Sequence, residues 1–385
     1  MKCQPGWRRV KCKRSCLTLP FIFLLASCAS SKVTVKEPAE LVDFKPTAKI
    51  EVRWKRNVGE QGIAGLLPAV SADGVYVANA DGELFRLDSI SGKKIWKIDI
   101  GFKISGAVGA GDGLAVVGGL KSELVAFDKD GVVRWATKAS SEILSAPQIV
   151  DGMVVVRTSD GRIAAFSAAD GKRQWLYERA TPTLIVRNHA GVLIQRGVVY
   201  AGFAAGKLAA INLLNGAVLW ESTVSQPRGN TELERISDIT SLPGVGGDSV
   251  CAIAFQGRLA CFDSKQGVMQ WSREVSSDKG LDVKLNQLYV SDTDSTILAM
   301  DRSSGSTLWK NDQLFMRQAS APYVLEKYVL VGDVGGYLHA LSREDGSLVA
   351  RIKTDGSPIL FAPIALGKGL LLQTRDGGVY SVEIN

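Results

Sequence analysis

Leu84-Phe85-Arg86-Leu87-Asp88-Ser89-Ile90-Ser91-Gly92-Lys93-Lys94-Ile95-Trp96 reads as a strand, a tight turn closed by Asp and Gly, and a second strand ending on Trp. The same phrase returns along the chain. Leu124 to Trp135 repeats it one residue shorter, and Ile163 to Trp175, Leu208 to Trp220, Leu259 to Trp271 and Ile297 to Trp309 repeat it again. Leu338 to Ala350 is a copy with Ala where the others have Trp. Val379 to Glu383 is only the first half of a copy, and the matching second half stands near the other end as Glu51-Val52-Arg53-Trp54.

The spacing sets the fold class. Successive repeats from Trp54 to Ala350 lie 38 to 51 residues apart. Around the opening phrase, Leu67-Pro68-Ala69-Val70 predicts a short inner strand, with Pro tolerated at its start. Gly74–Ala78 predicts a second strand, Asn79-Ala80-Asp81-Gly82 a turn, Glu83–Leu87 a third strand and Lys94–Asp99 a fourth. Ala-Pro openings recur at residues 146, 321 and 362. Units of four strands with this period make a β-propeller. A solenoid is the alternative, but it needs capping repeats and would not divide one repeat between the two ends. The expectation is an all-β, eight-bladed β-propeller over residues 49–385, closed by the N-terminal strand in the last blade, which leaves no exposed ring edge.

The repeated residues have structural jobs. Asp88, Asp128, Asn212, Asp263 and Asp301 can accept hydrogen bonds from backbone amides two residues on. The Gly before each Trp strand permits positive φ. Trp54, Trp96, Trp135, Trp175, Trp220, Trp271 and Trp309 are large enough to fill the gap between blades. A row of Trp could also line a sugar or nucleic-acid groove, but the near-constant offset from Gly argues for packing.

The formal charge of +7 suggests nucleic acid until it is divided. Residues 1–27 carry six basic residues and no acid, and without them 40 Lys+Arg face 39 Asp+Glu. No clustered basic face is implied, so nucleic acid is not an expected partner. The basic start runs into Leu17 to Leu25, too short for a membrane span and proportioned as a secretory signal. Leu25-Ala26-Ser27-Cys28 resembles a bacterial lipobox, with Cys28 acylated. A plain signal peptide with a chance Cys is the alternative. Ala29 is not the Asp that resembles the inner-membrane retention signal, so the expected location is the outer membrane, lipid-anchored and facing the periplasm. Residues 28–48 are expected to be a flexible lipidated tether. Cys251 and Cys261 flank Phe255-Gln256-Gly257. With Gly257 in the left-handed conformation they would face each other across a hairpin, with Cα atoms about 4.5 Å apart. An oxidising compartment allows a disulfide there, and two buried free thiols fit equally.

Signals for catalysis are sparse. His189 and His339 occupy unrelated repeat positions, with His339 read as a packed side chain. No CxxC, phosphate loop or dinucleotide fingerprint is visible, and Asp292-Thr293-Asp294-Ser295 reads as a polar turn rather than a calcium loop. No cofactor or metal is expected.

The repeats resemble those of the pyrroloquinoline-quinone propellers, in which Asp, Gly and Trp hold these offsets. Residues 228–238, RGNTELERISD, and 183–187, TLIVR, are similar to segments of the BamB family. These are lipoprotein subunits of the machinery that inserts β-barrels into the bacterial outer membrane. The resemblance implies a non-catalytic scaffold, with Leu184, Val186, Arg187 and Asp238 docking onto the periplasmic POTRA repeats of the barrel-inserting subunit, and unfolded barrel proteins as further partners. The family tends to carry a second acid two residues after Asp238, where this chain has Thr240. The residues themselves agree on the place. The spacings from Trp175 to Trp220 and from Trp220 to Trp271, 45 and 51 residues, are the longest. Both extensions follow a Trp strand, so they should emerge on one face of neighbouring blades. Arg235, with Glu232, Glu234 and Asp238, would add a charged rim to the apolar centre. The competing readings are a buried inner strand at Leu184 and Val186, a quinoprotein-like enzyme, and a small-ligand-binding periplasmic lipoprotein.

Overall fold

The computed structural model describes residues 37–62, 65–187 and 190–385. Cys28 and His189 lie outside them. Eight four-stranded antiparallel sheets follow one another. Blade one is formed by Ala69–Ser71, Gly74–Ala78, Glu83–Leu87 and Lys94–Asp99, as the sequence predicts. Blades two to seven repeat this order over residues 109–138, 148–177, 193–223, 244–273, 280–311 and 323–353. Blade eight takes three strands from residues 364–384 and its outer strand from Ile50–Asn57. The middle strands are almost wholly buried, and the core is a chain of apolar clusters between adjacent blades. Among the described residues no helix is long and apolar enough to cross a membrane.

Each Trp works across a blade boundary. Trp135 Nε1 donates to the Ala168 carbonyl of the next blade at 2.8 Å, and Trp175 to Leu213 at 2.7 Å. Trp54 of blade eight does the same to Ser89 of blade one at 3.1 Å, which closes the ring. The ring of each Trp lies over the turn Gly of the next blade. Gly171 has φ of 70°, and a Cβ there would stand 2.7 Å from Trp135 Cε3. The Gly is therefore needed twice, for its backbone conformation and for the Trp lying on it. The turn acids behave as expected: Asp128 Oδ1 accepts from the Asp130 amide, and Asp263 Oδ1 from Lys265, both at 3.0 Å.

Ala350 has a reason. Blade eight draws its third and outer strands from opposite ends of the chain, so it has no turn between them for a blade-seven Trp to cover. Residues 47–50 run there instead. The Thr47 and Ala48 amides donate to the Val349 carbonyl, and Ala350 shares a core cluster with Ala48 and Ile50.

The tether expectation needs correcting for residues 39–48, which are docked on the propeller. The Ala39 amide donates to the Phe315 carbonyl, and Arg317 Nη1 donates to the Ala39 carbonyl, both at 2.9 Å. Arg351 Nη1 reaches the Val42 carbonyl, and its guanidinium lies over Phe44. Behind this clamp His339 is fully buried, sharing Asp333 Oδ2 with Arg317 and accepting from Arg351 Nε.

Cys251 and Cys261 pair across the blade-five hairpin and are joined by a disulfide, with Cα atoms 4.0 Å apart. The left-handed residue of that turn is Gln256, with φ of 50°, rather than Gly257. Gly257 serves by having no side chain, since a Cβ would meet Ala254 and Ser225 at 2.7 and 2.8 Å.

Candidate docking site on blades three to five

Connections between blades lean on the turn between the second and third strands of the blade they enter. The Ser159 amide donates to Glu142, Phe255 to Asp238 and Val334 to Arg317, at 2.9 to 3.0 Å. The two long connections, after Trp175 and after Trp220, therefore rise on one face of neighbouring blades.

Residues 181–187 are not an inner strand. The inner strand of blade four is Leu193–Gln195, and in the preceding segment Leu184 is 43% and Ile185 36% exposed. Val186 is half-buried, because its amide donates to Asp238 Oδ2 at 2.8 Å. Arg187 pairs with Glu142 at 3.3 Å and keeps most of its side chain in solvent. An apolar pair beside an accessible cation is thus presented on a segment fixed at its base.

Asp238 is the fixing point. It is 3% exposed. Besides Val186, its Oδ1 accepts from the Ala205 amide at 3.0 Å, and its carbonyl accepts from Phe255 at 2.9 Å. One buried side chain thus ties together the blade-three connection, the blade-four turn and its own connection. This corrects the expectation of Asp238 as part of a charged rim: its charge is directed inward, as befits a buried carboxylate. Thr240 is also buried, donating to the Asp278 carbonyl. The exposed charges of this connection are Arg228, Glu232, Glu234 and Arg235. Arg235 pairs with Glu232 at 3.4 Å and donates to the Gly229 carbonyl, while Glu234 accepts from the Asn230 and Thr231 amides.

Between these connections lies a cleft of about 120 Å³. Its lining includes Ser145, Arg157, Thr158, Thr181, Phe203 and Asp238, with Arg187 at its margin. Arg157 lies over the Phe203 ring at 5.2 Å and donates to the Ala190 carbonyl at 3.2 Å. Desolvation pulls its guanidinium down to about 10, partly opposed by the Asp238 charge. Sequence reasoning missed Arg157, Phe203 and Glu142. A signal for Arg157 was present: it ends a second strand, where the other blades carry no charge.

The model of the family described as outer membrane protein assembly factor BamB matches residues 80–311. The chain belongs to the BamB family. It is 39% identical to the outer membrane protein assembly factor BamB of Burkholderia pseudomallei, over 93% of this chain and 94% of that one. It is 41% identical to BamB of Nitrosomonas eutropha, over 94% and 88%. The crystal structure of BamB from Moraxella catarrhalis matches with a TM-score of 0.80 at 28% identity, covering 87% of this chain and all of that one. Quinohemoprotein alcohol dehydrogenase from Comamonas testosteroni matches with a TM-score of 0.69 at 13% identity, a likeness of fold alone. Of the residues expected to dock, Leu184, Arg187 and Arg235 are exposed, Val186 is half-buried and Asp238 is buried.

Proposed function

We propose that this chain is a non-catalytic scaffold subunit of the outer-membrane β-barrel assembly machinery. It docks on the POTRA repeats of the barrel-inserting subunit and is held at the membrane by an acylated Cys28. Membership of a family named for outer membrane protein assembly supports the setting. The observation that carries the docking reading is the exposed Leu184-Ile185 pair beside Arg187, on a segment pinned by buried Asp238. An apolar centre with a cationic margin suits a protein surface of opposite charge. A segment already fixed before binding loses little conformational freedom on docking. Anchoring would raise the local concentration of scaffold near its partner without bond chemistry. The role is to position the partner.

Photo-crosslinking in intact cells tests this reading. A crosslinker at Leu184 or Ile185 is expected to capture the barrel-inserting subunit, while one at exposed Lys368, on blade eight, is not. Equal capture from both places, or none from Leu184 and Ile185, would overturn it.

A further inference from the structure

The position of Arg157 breaks a rule kept elsewhere in the ring. It ends the second strand of blade three and pairs in register with Ile163, the first residue of its repeat phrase. The residues paired with the same phrase position in the other blades are Ala78, Gly118, Gly202, Ile253, Ser291, Gly332 and Gln373. None carries a charge. Where the residue is Gly, the following connection fills the space with an isoleucine. A Cβ on Gly118 would stand 2.5 Å from Ile143, and Cβ atoms on Gly202 and Gly332 would collide with Ile239 and Ile359. In blade three a guanidinium stands there, and the cleft opens above it.

The surrounding charges leave that guanidinium with capacity to spare. Asp238 is the acid lining the cleft, and both of its carboxylate oxygens accept backbone amides. Nearby acids are paired elsewhere: Glu142 with Arg187, and Asp160 and Glu178 with Arg162. Ser145, Thr158 and Thr181 line the same space. A volume of about 120 Å³ is well beyond what a single water needs and leaves room for a short side chain.

We propose that the Arg157 cleft is a subsite for the carboxylate of an acidic side chain projecting from the docking partner. This rests on the docking reading above and deepens it: Leu184 and Ile185 supply apolar contact, and Arg157 reads a single acid. A guanidinium meeting a carboxylate in a partly desolvated cleft makes a strong, directional contact.

The test measures the affinity of the purified full-length chain for the purified full-length barrel-inserting subunit, both in detergent. Arg157→Gln is expected to weaken binding about tenfold or more. Thr181→Glu, at an exposed position on the cleft, supplies an internal carboxylate, so it is expected to weaken binding in the native background. It should have no further effect in the Arg157→Gln background. Should Arg157→Gln fail to fold, Thr181→Glu alone decides, and native affinity for it overturns the subsite. Leu184→Asp and Arg187→Glu separate the two readings. Loss of binding in these variants, with native affinity in Arg157→Gln and Thr181→Glu, overturns the subsite and leaves docking intact. Native affinity in all four overturns both.

Discussion

The Val186 amide donates to Asp238 Oδ2 at 2.8 Å, across 52 residues of chain. The other carboxylate oxygen holds the Ala205 amide. Asp238→Ala would orphan both amides and remove the acid that offsets Arg157. A desolvated amide left without its acceptor costs about 1–3 kcal/mol, so denaturant unfolding should show a loss of that order. Limited proteolysis should then cut within residues 181–187 at a protease level that spares the native protein. Unchanged stability and cleavage would remove Asp238 from its supporting role.

Ala350 occupies the Trp position of blade seven because the N-terminal segment crosses that site. Ala350→Trp restores the repeat in sequence but overpacks the structure. The loss expected is about 1–3 kcal/mol, read as a lowered denaturation midpoint. A gain in stability would show that the site has room.

These two residues show what the sequence carried. Strand order, blade number and the split blade were legible because Gly and Trp hold near-constant offsets in most repeats, as from Asp88 to Gly92 and Trp96. Ala350 was visible as an exception, but its cause depends on where residues 47–50 pass, which no local pattern reveals. The two long connections were legible from the lengthened spacings around Trp220. The role of Asp238 was not, because an acid in a polar connection looks the same whether it faces solvent or two buried amides. Arg157 was overlooked for the opposite reason: at a strand end it reads as an ordinary boundary residue until the register aligns it with Gly118, Gly202 and Gly332.

His339 gives the fold a pH dependence. Burial lowers its pKa below the ordinary value of about 6.5, while the hydrogen bond and charge of Asp333 pull it back up. The unfolded chain therefore takes up this proton at higher pH than the folded one. Stability from this residue is present above about pH 6.5 and declines as pH falls below it. Burial pushes Asp333 up, but His339, the Tyr337 amide and Arg317 outweigh it and leave its carboxyl low, which adds further loss under acid. His339→Gln should lower stability at pH 7 and make its decline between about pH 6.5 and 5 shallower than in the native protein. Denaturant unfolding across that range checks this, and parallel curves would contradict it.

In the docking we propose, Leu184 and Arg187 form the contact while Asp238 only supports them. Co-purification of the barrel-inserting subunit with the membrane-extracted chain carrying Leu184→Asp and Arg187→Glu tests it most directly, because both side chains are solvent-accessible and their replacement spares the core. A folded propeller with a native unfolding midpoint and loss of the co-purifying subunit are expected. A native midpoint with undiminished co-purification would contradict it.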